Sequence, residues 1–164
     1  MSRAILALVL SVSFSLSFSL SFSAMAIAPI EKHSDQTALY REILDRLATR
    51  HYRGQDLNDE LSLRYLNSYI DMLDPMKSYF LQSDIEEFSR WQTELDDLAR
   101  RGDVSPGFVM YNRLRDRMLA QVKANIALLE GDYAFDYSVD ETIVLDGEER
   151  QWLQSASEQR DYWR

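Results

Sequence analysis

Residues 73–88, LDPMKSYFLQSDIEEF, constrain the fold more than any other stretch of the chain. Two helix-start signals and an apolar cluster are packed into one short run. Asp74-Pro75 is the first signal: Asp can cap a helix, and Pro suits the first helical position, where no N–H is needed. Ser83-x-x-Glu86 is the second, a capping box in which each side chain satisfies a backbone donor of the other's turn. Between them, Met76, Tyr79, Phe80 and Leu81 favour burial. The expected structure is a tight corner between two helices with aromatics tucked beneath it.

Helical patterning flanks this corner on both sides. Leu39, Tyr40, Ile43, Leu44, Leu47 and His51 recur at spacings of three and four, which predicts a first helix from Asp35 to Gly54. Asp56 is the expected cap of a second helix, with Asp59 and Glu60 in its first turn. Leu57, Leu61, Tyr65, Leu66, Tyr69, Ile70 and Leu73 form its apolar stripe, and Pro75 ends it. A third helix runs from Ser83 to Arg101 on Ile85, Phe88, Trp91, Leu95 and Leu98, with Gly102 closing it. Ser105-Pro106 opens the fourth and longest helix. Tyr111, Leu114, Met118, Val122, Ile126 and Leu129 are its expected inner face, and Arg113, Arg115, Arg117 and Lys123 its outer one. Residues 131–145 break the pattern and read as an extended connector with room for one short strand. Asp146 is then expected to cap a fifth helix carrying Trp152, Leu153, Ala156, Tyr162 and Trp163. The fold class predicted is all-α: about five helices in an orthogonal or irregular bundle.

Composition limits the functional classes. The chain is 46% hydrophobic and 27% charged, a globular balance with room for one domain of modest core. It has no Cys, which excludes disulfides and thiolate metal sites. A formal net charge of −9 repels a phosphate backbone, so nucleic acid is not an expected partner. Compartment is indicated by the N-terminus. Arg3 precedes an uncharged run, AILALVLSVSFSLSFSLSFS, and Ala24-Met25-Ala26 fits the small-x-small cleavage rule. Residues 1–26 therefore read as a signal peptide cleaved after Ala26, and seven Ser between residues 11 and 23 argue against a retained span. Residues 27–34 read as a loose mature N-terminus, with no membrane association expected after cleavage.

Chemical motifs are absent. The chain carries no Walker-type phosphate loop, no GxGxxG, no HExxH and no GxSxG. His33 and His51 are its only histidines, too few for a His-rich metal site. Lys77-Ser78 invites a Ser/Lys dyad, but adjacent residues diverge on a helix and no Gly-rich oxyanion loop accompanies them. No catalytic residue, cofactor or metal is expected from the residues themselves.

The run HYRGQDLNDELSLRYLNSYIDMLDPMKSYFLQSDIEEF, residues 51–88, resembles the N-terminal domain of the tail-specific proteases, the C-terminal processing peptidases of the Gram-negative periplasm. His51-Tyr52, Leu73-Asp74-Pro75, Lys77, Tyr79-Phe80-Leu81 and Ser83-Asp84-Ile85 carry the likeness. The basic fourth helix and the Trp-ending fifth agree with it in order and spacing, so the resemblance covers residues 35–164. It implies part of a serine endopeptidase that degrades periplasmic proteins from apolar C-termini. In such enzymes a helical N-terminal domain precedes a PDZ domain and a catalytic domain with a Ser/Lys dyad. The PDZ carboxylate-binding loop and both dyad residues have no counterpart here, so no catalytic residue is carried over, and this chain alone is expected to be inactive.

Two functional classes follow. One is the non-catalytic helical domain of such a protease, with the downstream PDZ and protease domains, a protein substrate or an adaptor as partners. The other is a stand-alone exported helical module that binds a protein. The aromatic ending, with no Gly or cap after it, favours a fragment of a longer reading frame. Trp152, Tyr162 and Trp163 are the candidate interface, and Trp163 is expected to sit bare if the next domain is missing.

Overall fold

A computed structural model describes residues 27–50 and 56–164. The expected leader, His51 and Gly54 lie outside the described residues. Among those described the protein is all-α, with six α-helices rather than five: α1 Ser34–Arg50, α2 Asp59–Leu73, α3 Gln82–Phe88, α4 Leu95–Arg101, α5 Ser105–Glu130 and α6 Ala156–Trp163. None is long and apolar enough to cross a membrane.

The core lies where α2, the corner, α3 and the first half of α5 meet. Leu66, Ile70, Phe80, Phe88, Trp91, Met110 and Leu114 form it. Phe80 meets Phe88 edge-on at 5.4 Å between ring centres, and Phe88 stacks on Trp91 at 6.1 Å. These are the offset and T-shaped arrangements that ring quadrupoles favour.

Helix α2 begins later than its sequence signal. Asn58, not Asp56, is the cap: its side chain accepts the Leu61 N–H at 2.9 Å. Asp56 sits two residues upstream and exposed. Leu66 and Ile70 are buried as expected, but Tyr65 is 66% exposed because the α2 stripe turns out of the core at that position.

The predicted third helix divides. A 3-10 turn, Ser89–Trp91, follows α3, and α4 starts only at Leu95. The Ser89 hydroxyl donates to the Glu86 carbonyl at 2.7 Å, the local competition that bends helices. The break is useful at the other end, where the Ser62 hydroxyl accepts the Asp96 N–H at 2.9 Å and donates to its carboxylate at 2.9 Å. Burial raises the Asp96 pKa, but the Ser62 hydroxyl, the Asp97 N–H and Arg100 outweigh it and hold the carboxyl below its ordinary value. Gly102 ends α4 in the left-handed conformation, φ +73°, as expected. A Cβ there would come within 2.8 Å of Arg41 Nε, so Gly102 also lets α1 lie against α4.

The expected stripe of α1 is only half covered: Tyr40 and Leu44 are half-buried, whereas Leu39, Ile43 and Leu47 are 45–58% exposed. Helix α1 lies on short α4, which is too small to cover its whole face. The preceding segment is tied to α5 by two 3.0 Å hydrogen bonds between the Asn112 side chain and the Ile30 backbone.

Ser105 is the first residue of α5, not its cap, and the Asp103 carboxylate accepts its N–H at 3.0 Å. Met110 and Leu114 are buried, but Tyr111, Met118, Val122, Ile126 and Leu129 are exposed, against expectation. Length explains this: a 26-residue helix is about 39 Å long, while its partners α2 and α3 have 15 and seven residues. The distal half of α5 outruns the core.

Residues 131–145 form an irregular connector, with no strand among the described residues. Tyr133, Phe135 and Tyr137 pack on one another at 5.0 and 6.2 Å. Asp146 does not cap a helix: its carboxylate accepts the Glu148 N–H of a turn at 2.9 Å. Trp152 and Leu153 precede the last helix, and Ala156 is its exposed first residue. Ser155 caps α6 by accepting the Glu158 N–H at 3.2 Å, and the Glu158 carboxylate accepts the Gln154 N–H at 2.6 Å.

Candidate functional site

The corner at residues 74–84 gathers the largest set of directed polar groups, and the C-terminal segment 147–163 is strapped across it. Asp74 organises the corner. Its own N–H ends α2 on the Ile70 carbonyl at 3.0 Å. Its buried carboxylate accepts the N–H groups of Ser78, Tyr79 and Phe80 at 3.0, 2.8 and 2.9 Å. Asp74-Pro75 is therefore a helix end and a turn, not a helix start. Three N–H donors around one carboxylate make an anion nest that Asp74 itself fills. Met76, expected beneath the corner, is 37% exposed on the tip of the turn.

The second start signal resolves differently from the Ser83/Glu86 box. Helix α3 begins at Gln82, and Asp84 reaches back to accept the Leu81 N–H at 3.0 Å, so Ser83 is exposed within the first turn. Leu81 has no side-chain oxygen, and it is its backbone carbonyl that accepts the Asp84 N–H at 2.9 Å. The same Asp84 carboxylate, 1% exposed, receives Arg117 and Arg113. Arg113 also bridges to Glu87 at 2.7 Å. Arg113 and Arg117 thus turn inward, where charge patterning alone placed them outside. Burial pushes the Asp84 carboxyl up, but the Arg117 guanidinium, the Leu81 N–H and Arg113 together hold it below the usual carboxylate range. Burial works against the charge on Arg113, and Asp84 and Glu87 more than compensate, raising its pKa.

Lys77 is the point of contact with the strap. It adopts φ +48°, the left-handed region, which costs a non-Gly residue energy unless its surroundings hold it there. Its Nζ donates to the Arg150 carbonyl at 2.7 Å and lies 5.6 Å from the centre of the Trp152 ring. Gly147 passes so close to the turn that a Cβ would stand 1.9 Å from the Pro75 carbonyl oxygen. Leu81 and Leu153 form a single parallel bridge, in which the Gln82 N–H donates to the Leu153 carbonyl at 2.9 Å.

Of the three aromatics expected at an interface, Trp152 and Trp163 meet this corner and Tyr162 packs within the strap. Trp152 packs on Phe80 at 6.2 Å. Trp163 donates its indole N–H to the Ser78 carbonyl at 3.0 Å and lies 5.3 Å from the Tyr79 ring. Tyr162 lies beneath Arg150, whose guanidinium carbon is 4.1 Å above its ring and which donates to its hydroxyl at 2.7 Å. All three are half-buried, Trp163 included, so Trp163 is not bare. The buried Gln159 amide donates to the Ser78 and Tyr79 carbonyls at 3.2 and 2.9 Å.

Sequence reasoning found the corner and the strap aromatics, named Asp84, Arg113 and Arg117 without their pairing, and missed Gly147 and Gln159. Ser155-x-x-Glu158 was a legible helix-start signal. The Asp84 pairings were not legible, because they join residues 29 and 33 positions apart.

Chemically, the arrangement is a clamp. The Ser78 hydroxyl is buried beside Asp74, and the Lys77 ammonium is committed to a backbone carbonyl. Its carboxylates and cations hold backbone and one another.

The comparisons with known proteins agree with this region. Residues 43–164 match the family model described as the tail specific protease N-terminal domain. A tail-specific protease of Haemophilus influenzae is 30% identical over 119 residues, covering 72% of this chain. The chain spans 17% of that relative's length. The match takes in the corner, α5 and the strap together, and the chain belongs to the tail-specific protease N-terminal domain family.

Proposed function

We propose that this chain is the non-catalytic helical N-terminal domain of a periplasmic C-terminal processing serine protease, one that degrades or processes proteins from apolar C-termini. One observation carries the non-catalytic reading: the polar groups of the best-built site are spent internally. Asp74 holds three backbone donors, Lys77 a carbonyl, and Asp84 two guanidiniums. Such a site fixes geometry. It leaves no activated nucleophile of the kind acyl transfer needs. In this reading the leader, residues 1–26, directs export and is removed after Ala26. The strap sets the direction in which α6 meets the PDZ and protease domains, and Trp152, Tyr162 and Trp163 keep ring area for that contact. A protein substrate or an adaptor is the further partner.

The test is direct. The purified chain is incubated with an unfolded protein bearing an apolar C-terminus, and the products are followed by mass spectrometry. The expected result is an intact substrate. Cleavage that survives repurification and disappears in Ser78→Ala would overturn the reading. The N-terminal sequence of the exported chain checks the compartment: it is expected to begin at Ile27.

A further inference from the structure

We draw no further inference here: the strongest candidate, the open apolar cavity of about 960 Å3 between α1 and the layer of α2, α4 and the start of α5, lined by Tyr40, Leu44, Leu61, Tyr69 and Met110, is an unpartnered apolar face, and nothing in the structure shows what covers it.

Discussion

Asp84 and Arg117 form a two-pronged ion pair, Nε to Oδ2 and Nη2 to Oδ1, both at 2.9 Å. The geometry matches the fork of a guanidinium to the two oxygens of a carboxylate. Because Asp84 also anchors the start of α3, one side chain ties the corner to α5. Asp84→Ala leaves Arg117 without its acid, Arg113 with Glu87 alone and the Leu81 N–H without its acceptor. Breaking a buried pair on one side costs about 3–5 kcal/mol. The part-exposed arginines can take up water, so the lower end, about 3 kcal/mol, is expected. Urea unfolding of Asp84→Ala beside the parent measures it, and a loss below about 0.5 kcal/mol would show that the pair holds nothing.

The same group gives the domain an acid limit. The folded pKa of Asp84 is lowered relative to the unfolded chain. Its contribution is therefore fully present above the unfolded value, about 3.9, and is lost as pH falls through the folded value. Asp96 and Asp103 are lowered as well and act in the same direction. Stability is expected to be flat through neutrality and to fall below about pH 4. In Asp84→Asn the fall should be shallower. An identical acid profile in parent and variant would remove Asp84 from the account.

Two glycine substitutions separate close approach from ordinary helix propensity. Gly147→Ala puts a Cβ 1.9 Å from the backbone oxygen of Pro75, so the strap must lift. The expected cost is about 1–3 kcal/mol, with a red shift of tryptophan emission as Trp152 and Trp163 are wetted. Gly107→Ala, inside α5, meets nothing closer than the Tyr69 hydroxyl at 3.7 Å. It should stabilise by about 0.4–1 kcal/mol. Thermal unfolding of the two variants should therefore move in opposite directions.

Three further changes rank core burial against helix capping. Phe80 is fully buried, and Phe80→Ala is expected to cost about 3–5 kcal/mol. Ser155 caps α6, so Ser155→Ala should cost about 1 kcal/mol. Ser83 is exposed within α3, and Ser83→Ala should stay within about 0.5 kcal/mol. A Ser83 effect as large as that of Ser155 would restore the capping box at Ser83 and Glu86.

What could be read from the sequence was what is local. Apolar spacing located every long helix, Gly102 announced its own left-handed turn, and the corner stood out through Asp74-Pro75. The errors share one cause. Asp74 reads as a cap, and it is one, but for the backbone that follows a helix rather than for a helix that begins there. Arg113 and Arg117 read as outer residues because periodicity assigns charge to solvent, and only the fold brings Asp84 beneath them. Met118 to Leu129 read as an inner face because their spacing reports amphipathicity without reporting whether a partner is long enough to cover it. Trp152 reads as part of the last helix because Asp146 offers a cap ahead of the one that Ser155 makes.

The strap also dictates when the corner can be finished. The carbonyl of Ser78 finds its donors in Gln159 and Trp163, 81 and 85 residues further along the chain. Closing a loop of that length is entropically slow relative to forming α2 or α3. During synthesis from the N-terminus, the ring of Phe80 and the carbonyl oxygens of Ser78 and Tyr79 wait without these partners until the strap has emerged. The corner that organises the pattern in sequence is thus completed late in time, and a chain cut before Gly147 would keep α1 to α5 while leaving Phe80 without the Trp152 ring that packs on it.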